Sequence, residues 1–169
     1  TFIGPEAGGT GTGFLPHAYI HEILGRSPYA PRAFGSAAPD TGNAEILHQF
    51  GSPELKERFM KPLVAGEIRS CFSMTEPEVS GADPTGLRTR AVRDGDEWVI
   101  NGHKWFTSQG QHCTWIIIAA RTDPDPAKRH RGISYFLSPM DAPGIELRPM
   151  YNLADGRQNM VYLDQLRVP

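Results

Sequence analysis

Two stretches of the chain carry the side chains best suited to chemistry. The first is Cys71-Phe72-Ser73-Met74-Thr75-Glu76-Pro77-Glu78-Val79-Ser80-Gly81-Ala82-Asp83. It begins with the alternation of a strand and breaks at Pro77 into small residues, which let backbone approach a ligand closely. The second is Gly102-His103-Lys104-Trp105-Phe106-Thr107-Ser108-Gln109-Gly110, with two aromatics followed by two hydroxyls at a strand end. Apolar and aromatic surface with a few placed donors is what a flat heteroaromatic cofactor needs. The same residue types also build cores and cap turns, so composition leaves both readings open. The two cysteines, Cys71 and Cys113, lack zinc-finger spacing to any Cys or His, which leaves no metal site and suggests reduced thiols in an intracellular compartment. His17, His21, His48 and His130 show no partner pattern and read as surface or packing residues, and His103 as solvent-facing.

The elements that must position these stretches divide by texture. Phe14 to Leu24 has apolar residues at helical spacing and ends at Gly25 and Pro28. Asp40-Thr41 supplies an N-cap for a helix over Asn43 to Phe50, stopped by Gly51. Ser52-Pro53-Glu54 starts another, with Leu55, Phe59 and Leu63 on one face and Gly66 at its end. After Ser70 the pattern turns to strands. Asp94-Gly95 and Asn101-Gly102 are hairpin signals, and Trp115 to Arg121 reads as a strand buried on both faces. Thr122 to Arg131 is a polar surface loop whose basic residues form a solvated face. Gly132 to Leu137, with Ile133, Tyr135 and Leu137 on one side, Gly144 to Met150 and Asn159 to Leu166 complete the strands. Helices followed by strands make an α+β pattern, and without alternating helices an antiparallel barrel or two-sheet domain is expected rather than a parallel sheet.

The balance of the 169 residues is ordinary: 39% hydrophobic, 21% charged, net charge -2. It gives no electrostatic footprint for nucleic acid, and no apolar run nears the roughly 20 residues of a membrane span. The chain opens at Thr1 without Met and closes at Pro169 where a strand hands on, so both ends read as cut from something longer.

Taken in order, these segments resemble the acyl-CoA dehydrogenase family. Thr75-Glu76-Pro77 with its small-residue loop to Asp83 is similar to the family's TEP-x-x-x-SD signature. Ile100 to Ser108 is similar to its ING-x-K-x-[WF]-[IT]-[TS] strand. Gly51 to Lys56, Pro62-Leu63 with Gly66-Glu67, Met140 to Gly144 and Leu166 to Pro169 resemble further family segments, so the likeness covers most of the chain. The subgroup with TEP-x-VASSD and KWW-[TS]S motifs looks nearest.

The resemblance implies residues 1–69 as the end of an N-terminal helical domain and 70–169 as the middle β domain, without the family's C-terminal helical bundle. It implies FAD, contacted by Phe72, Met74, Thr75, Trp105, Phe106, Thr107 and Ser108, and a thioester arm near Ser80, Gly81 and Ala82. Ala82 departs from the Ser that many members carry before the Asp. The implied reaction is α,β-dehydrogenation of an acyl-CoA, as in fatty-acid β-oxidation, with loss of the α proton and hydride transfer from Cβ to flavin N5. The base is expected outside this chain, with Glu76 belonging to the structural turn. Electron-transfer flavoprotein as acceptor and a homo-oligomer are implied, in the cytoplasm of a bacterium or a mitochondrial or peroxisomal matrix. Related oxidases and monooxygenases, or a non-catalytic subunit, remain alternatives.

Overall fold

A computed structural model of the chain describes residues 3–153 and 158–169. The chain divides into two compact units, with the break between Ser70 and Cys71.

The first unit is helical: α1 (Phe14–Leu24), α2 (Ala30–Ala33), α3 (Asp40–Phe50), α4 (Pro53–Leu55) and α5 (Lys61–Ala65). Ser52 caps α4 by accepting from Leu55 N at 3.2 Å, as the Ser-Pro-Glu pattern predicts. Between α4 and α5 the helix widens to a π-turn over Lys56–Met60, with Lys61 N donating to Lys56 O. Pro62 follows at once; it has no N–H to give and its ring crowds the preceding turn, a known cause of such widening. The extra residue rotates the buried face, so Met60 and Leu63 are buried with Ala44 and Leu47 of α3, while Leu55 and Phe59 are only half-buried. Asp40 is not the cap expected of it. It lies inside the first turn of α3, and its carboxylate accepts from Ser70 N at 2.9 Å and Ser70 Oγ at 2.7 Å. His17 and His21 do pair, Nε2 to Nε2 at 2.8 Å, one helical turn apart on α1.

The second unit is a single mixed sheet curled into a half-barrel. Its strands are β1 (Ser70–Ser73), β2 (Arg90–Asp94), β3 (Glu97–Ser108), β4 (Trp115–Arg121), β5 (Ile133–Pro139), β6 (Ile145–Met150) and β7 (Gln158–Val168). The order is β1-β4-β2-β3-β7-β6, with β5 beside β4. β5 lies antiparallel along the whole of β4, so β1 and β2 share the other edge. β2 meets β4 only at Arg90↔Arg121, and there the pairing is parallel, contrary to the all-antiparallel expectation. The connection between them contains the whole of β3, long enough for the crossover a parallel pair requires. The core holds Ile100, Ile116, Ile118, Phe136, Val161 and Leu166. On β5 the buried residues are Phe136 and Ser138. Tyr135, on the same side as Ile133 and Leu137 by its spacing, is 50% exposed.

The Asp94-Gly95 signal gives the β2–β3 hairpin, closing at Asp94↔Glu97 with Gly95 at φ 64°. Asn101-Gly102 does not turn. β3 runs straight through, because the Asn101 side chain accepts from both Gln165 N and Gln165 Nε2 at 2.9 Å. The extra residue lies on β7 instead, where Ile100↔Leu166 steps to Gly102↔Leu163 and Gln165 takes φ 52°. Gly102 is required by close approach: a Cβ there would sit 2.2 Å from Thr89 Oγ1 and 2.7 Å from Thr89 Cβ. Among the described residues no helix is long and apolar enough to cross a membrane.

Gly102→Ala is therefore expected to destabilise the protein by about 1–3 kcal/mol through overpacking. Gly42→Ala, inside α3 with nothing within 4 Å of the new methyl, is expected to stabilise it by about 0.5–1 kcal/mol. Urea denaturation of the two variants reads the opposite signs directly.

Candidate functional site

The two motif stretches meet around Lys104. Its side chain is 0% exposed and that of Glu76 4%, with Nζ donating to Glu76 Oε1 at 2.8 Å. Nζ also donates to Met74 O at 3.0 Å. The carboxylate of Glu76 accepts further from Arg88 N at 2.7 Å and Thr89 N at 2.9 Å. Burying a charge costs several kcal/mol per ion, and hydrogen bonds to charged groups return about 1.5–3 kcal/mol each. A bare pair would not offset that cost; three donors on one ion and two acceptors on the other can. Burial pushes the Glu76 carboxyl up, but the bonds from Lys104, Thr89 and Arg88 outweigh it and hold the group below its usual value. For Lys104 burial dominates and lowers the ammonium pKa, while Glu76 pulls it back.

Beyond β1 the first stretch continues alongside the end of β3. Trp105 N donates to Thr75 O at 2.8 Å, and the Ser73 and Thr107 hydroxyls share a buried hydrogen bond of 2.8 Å. A second bulge sits here, on β3: Lys104↔Val161 steps to Thr107↔Asn159, three residues against two, with Phe106 at φ 54°. Its effect on side chains is decisive. In an unbroken strand an inward Lys104 would send Thr107 outward. With one residue inserted, Lys104 and Thr107 are both buried, Trp105 and Phe106 stand between them on the outer side, and Ser108 follows outward, half-buried. Phe106 is 47% exposed. The bulge is braced by the buried Asn159, whose Nδ2 donates to Thr107 O at 3.1 Å and Gln111 Oε1 at 2.8 Å.

The structure thus brings Met74, Thr75, Trp105, Phe106, Thr107 and Ser108 to one place, and turns the Thr107 hydroxyl into the interior. Phe72, on β1, packs edge-on against Tyr135 with ring centroids 5.5 Å apart. Ser80, Gly81 and Ala82 lie exposed on the loop. The Ser80 hydroxyl accepts from Ala82 N at 3.4 Å, and a Cβ on Gly81 would lie 3.5 Å from Thr75 Cγ2, so the loop folds back over Thr75. His103 is half-buried rather than solvent-facing, its ring stacked on Tyr162 at 4.2 Å. Trp105 Nε1 is buried with no partner among the described residues. Sequence reasoning overlooked Lys104, Ser73 and Asn159. A lysine between inward-facing strand positions was the available sign of the first. Nothing local marks the other two.

Glu76→Gln and Lys104→Met are each expected to cost about 3–5 kcal/mol in chemical denaturation, because each strands a buried partner. The double variant loses less than the sum. The Glu76 contribution is present in full above its unfolded-chain value of 4.5 and is lost as pH falls through the lowered folded value. Wild type, and not Glu76→Gln, should show that extra acid loss.

The profile described as "Acyl-CoA dehydrogenase, middle domain" matches residues 71–165, and "Acyl-CoA dehydrogenase, N-terminal domain" matches residues 2–67. Acyl-CoA dehydrogenase family member 11 of Mus musculus is 40% identical over 95% of this chain, which spans 22% of that protein. Probable acyl-CoA dehydrogenase FadE2 of Mycobacterium tuberculosis is 44% identical over 86% of the chain, and 36% of its own length is covered. Among solved structures, a putative acyl-CoA dehydrogenase from Mycobacterium abscessus superposes with a TM-score of 0.91 at 42% identity, covering 98% of this chain and 42% of that one. A glutaryl-CoA dehydrogenase from Mycobacterium smegmatis in complex with FADH2 gives 0.67 at 33% identity, over 75% of this chain and 32% of that one. The two profiles together cover most of the sequence, and the chain belongs to the acyl-CoA dehydrogenase family, carrying its N-terminal and middle domain segments.

Proposed function

We propose that this chain forms the flavin-facing wall of an FAD-dependent acyl-CoA dehydrogenase, with residues 1–69 closing the helical domain and 70–169 forming the middle β domain. The observation that carries the reading is the β3 bulge, which sets an exposed aromatic, Phe106, beside an outward hydroxyl, Ser108, next to Thr75. These residues fit a flat ring with polar edges. Phe106 and Phe72 offer apolar surface, Met74 backbone and side chain, and Thr75 and Ser108 hydrogen-bond donors. Thr107, committed to Ser73, serves by holding the bulge in place. When bound, FAD supplies the acceptor for the hydride that leaves the substrate.

Donors placed along the ring's polar edge stabilise negative charge as it arrives, without reorganisation. Ser80, Gly81 and Ala82 would receive the thioester arm of an acyl-CoA. No residue of this chain is assigned as the base. Glu76 is saturated by three donors, and Glu78 is exposed and ion-paired with Arg88. An electron-transfer flavoprotein as acceptor and assembly as a homo-oligomer belong to the same proposal.

The test is the visible spectrum of the polypeptide that carries this chain, taken under argon before and after acyl-CoA thioesters. Flavin bands that bleach with a thioester support the reading. Ser108→Ala should keep the flavin and slow bleaching by about 100-fold. A colourless protein that FAD cannot reconstitute, or an unchanged rate in Ser108→Ala, contradicts it.

A further inference from the structure

The helical unit contains a cavity of about 430 Å³ lined, among others, by Arg32, Phe34, Asp40, Leu63, Val64 and Arg69. The chemistry of its wall is lopsided. Among the described residues Asp40 is its sole carboxylate, and Oδ1 of that group is already occupied by Ser70 N and Ser70 Oγ. Arg69 reaches Asp40 through Nη1 alone, at a long 3.3 Å, which leaves its Nε and Nη2 hydrogens unused. The Arg32 side chain is exposed and makes no hydrogen bond or ion pair with any described residue. Two guanidiniums thus face one carboxylate that is largely satisfied elsewhere, and the lining carries a net positive charge. A planar guanidinium presents paired N–H donors that match carboxylate and phosphate oxygens. Ala33, Phe34, Ala44, Leu63 and Val64 add apolar surface beside Thr10, and the volume is within the range of small-molecule sites.

We propose that this cavity binds a small amphipathic anion, its carboxylate or phosphate head held by Arg32 and Arg69 and its short apolar body against Phe34, Leu63 and Val64. The site stands on the helical unit alone and does not depend on the flavin reading. Its ligand is either the far end of an acidic substrate or a free organic acid.

Hexanoate is the probe, titrated calorimetrically into the full polypeptide at low salt, with acetate and hexylamine for comparison. Hexanoate should bind saturably and more tightly than acetate, hexylamine should not bind, and Arg32→Gln should weaken hexanoate at least ten-fold while leaving the fold, checked by circular dichroism, unchanged. Prior saturation with an acyl-CoA distinguishes the sources. Displacement of hexanoate assigns the site to the substrate's end, and undiminished binding assigns it to a free acid; either result keeps the anion site. Equal affinity in Arg32→Gln, hexanoate no tighter than acetate, or no binding to wild type overturns the proposal.

Discussion

The buried contact between Glu76 and Lys104 is the constraint on which the rest of the sheet unit depends. A carboxylate and an ammonium so far from water persist only when further hydrogen bonds offset their desolvation. Each partner here is a piece of backbone that must be brought to the spot. Met74 O fixes the run-out of β1, Arg88 N and Thr89 N fix the entry to β2, and Lys104 itself fixes the middle of β3. Three segments remote in sequence are thereby locked at one point. Gly102 belongs to the same arrangement, since only a residue without a side chain leaves room for Thr89.

From that point outward, geometry turns into a surface. Because Lys104 must face inward, the next residues would alternate in a fixed way. The inserted residue at Trp105–Phe106 reverses the alternation, so Thr107 can close on Ser73 while Phe106 and Ser108 face out. The left-handed φ of Phe106 is the strain that this reversal requires, and Asn159 holds the bulge against relaxing. Bulges next to active sites re-aim side chains in this manner. The outward aromatic and hydroxyl are therefore positioned by buried polar groups, Lys104, Ser73 and Asn159.

Local signals in the sequence were enough for much of the fold. α1 begins and ends where the apolar spacing and Gly25 place it, Ser52 caps as its neighbours predict, and Asp94-Gly95 makes its hairpin. The pieces that were not legible depend on distant partners. Asn101-Gly102 has the composition of a turn, yet Gln165, far along the chain, claims the Asn101 side chain and keeps the strand straight. The alternation on β5 sets Ile133, Tyr135 and Leu137 apart from Phe136, but which side is buried is visible only in the fold, where Phe136 is inside. The parallel meeting of β2 with β4 leaves no local trace, because it is a single contact made by the path of the loop before β2. At the site, the motif stretches were visible as motifs, whereas their joining through Ser73, Lys104 and Asn159 was visible only in three dimensions.

The buried pair, rather than the strand ladder, holds the two motif stretches together. Amide hydrogen exchange resolved at Thr89 and Trp105, in wild type and in Lys104→Met, tests it most directly. Both amides are engaged in the structure, to Glu76 Oε1 and Thr75 O respectively. Both are expected to lose protection in Lys104→Met by local opening, while the amides of β4 and β5 keep theirs relative to global stability. Protection at Thr89 and Trp105 that falls only in step with the β4 and β5 amides would contradict it.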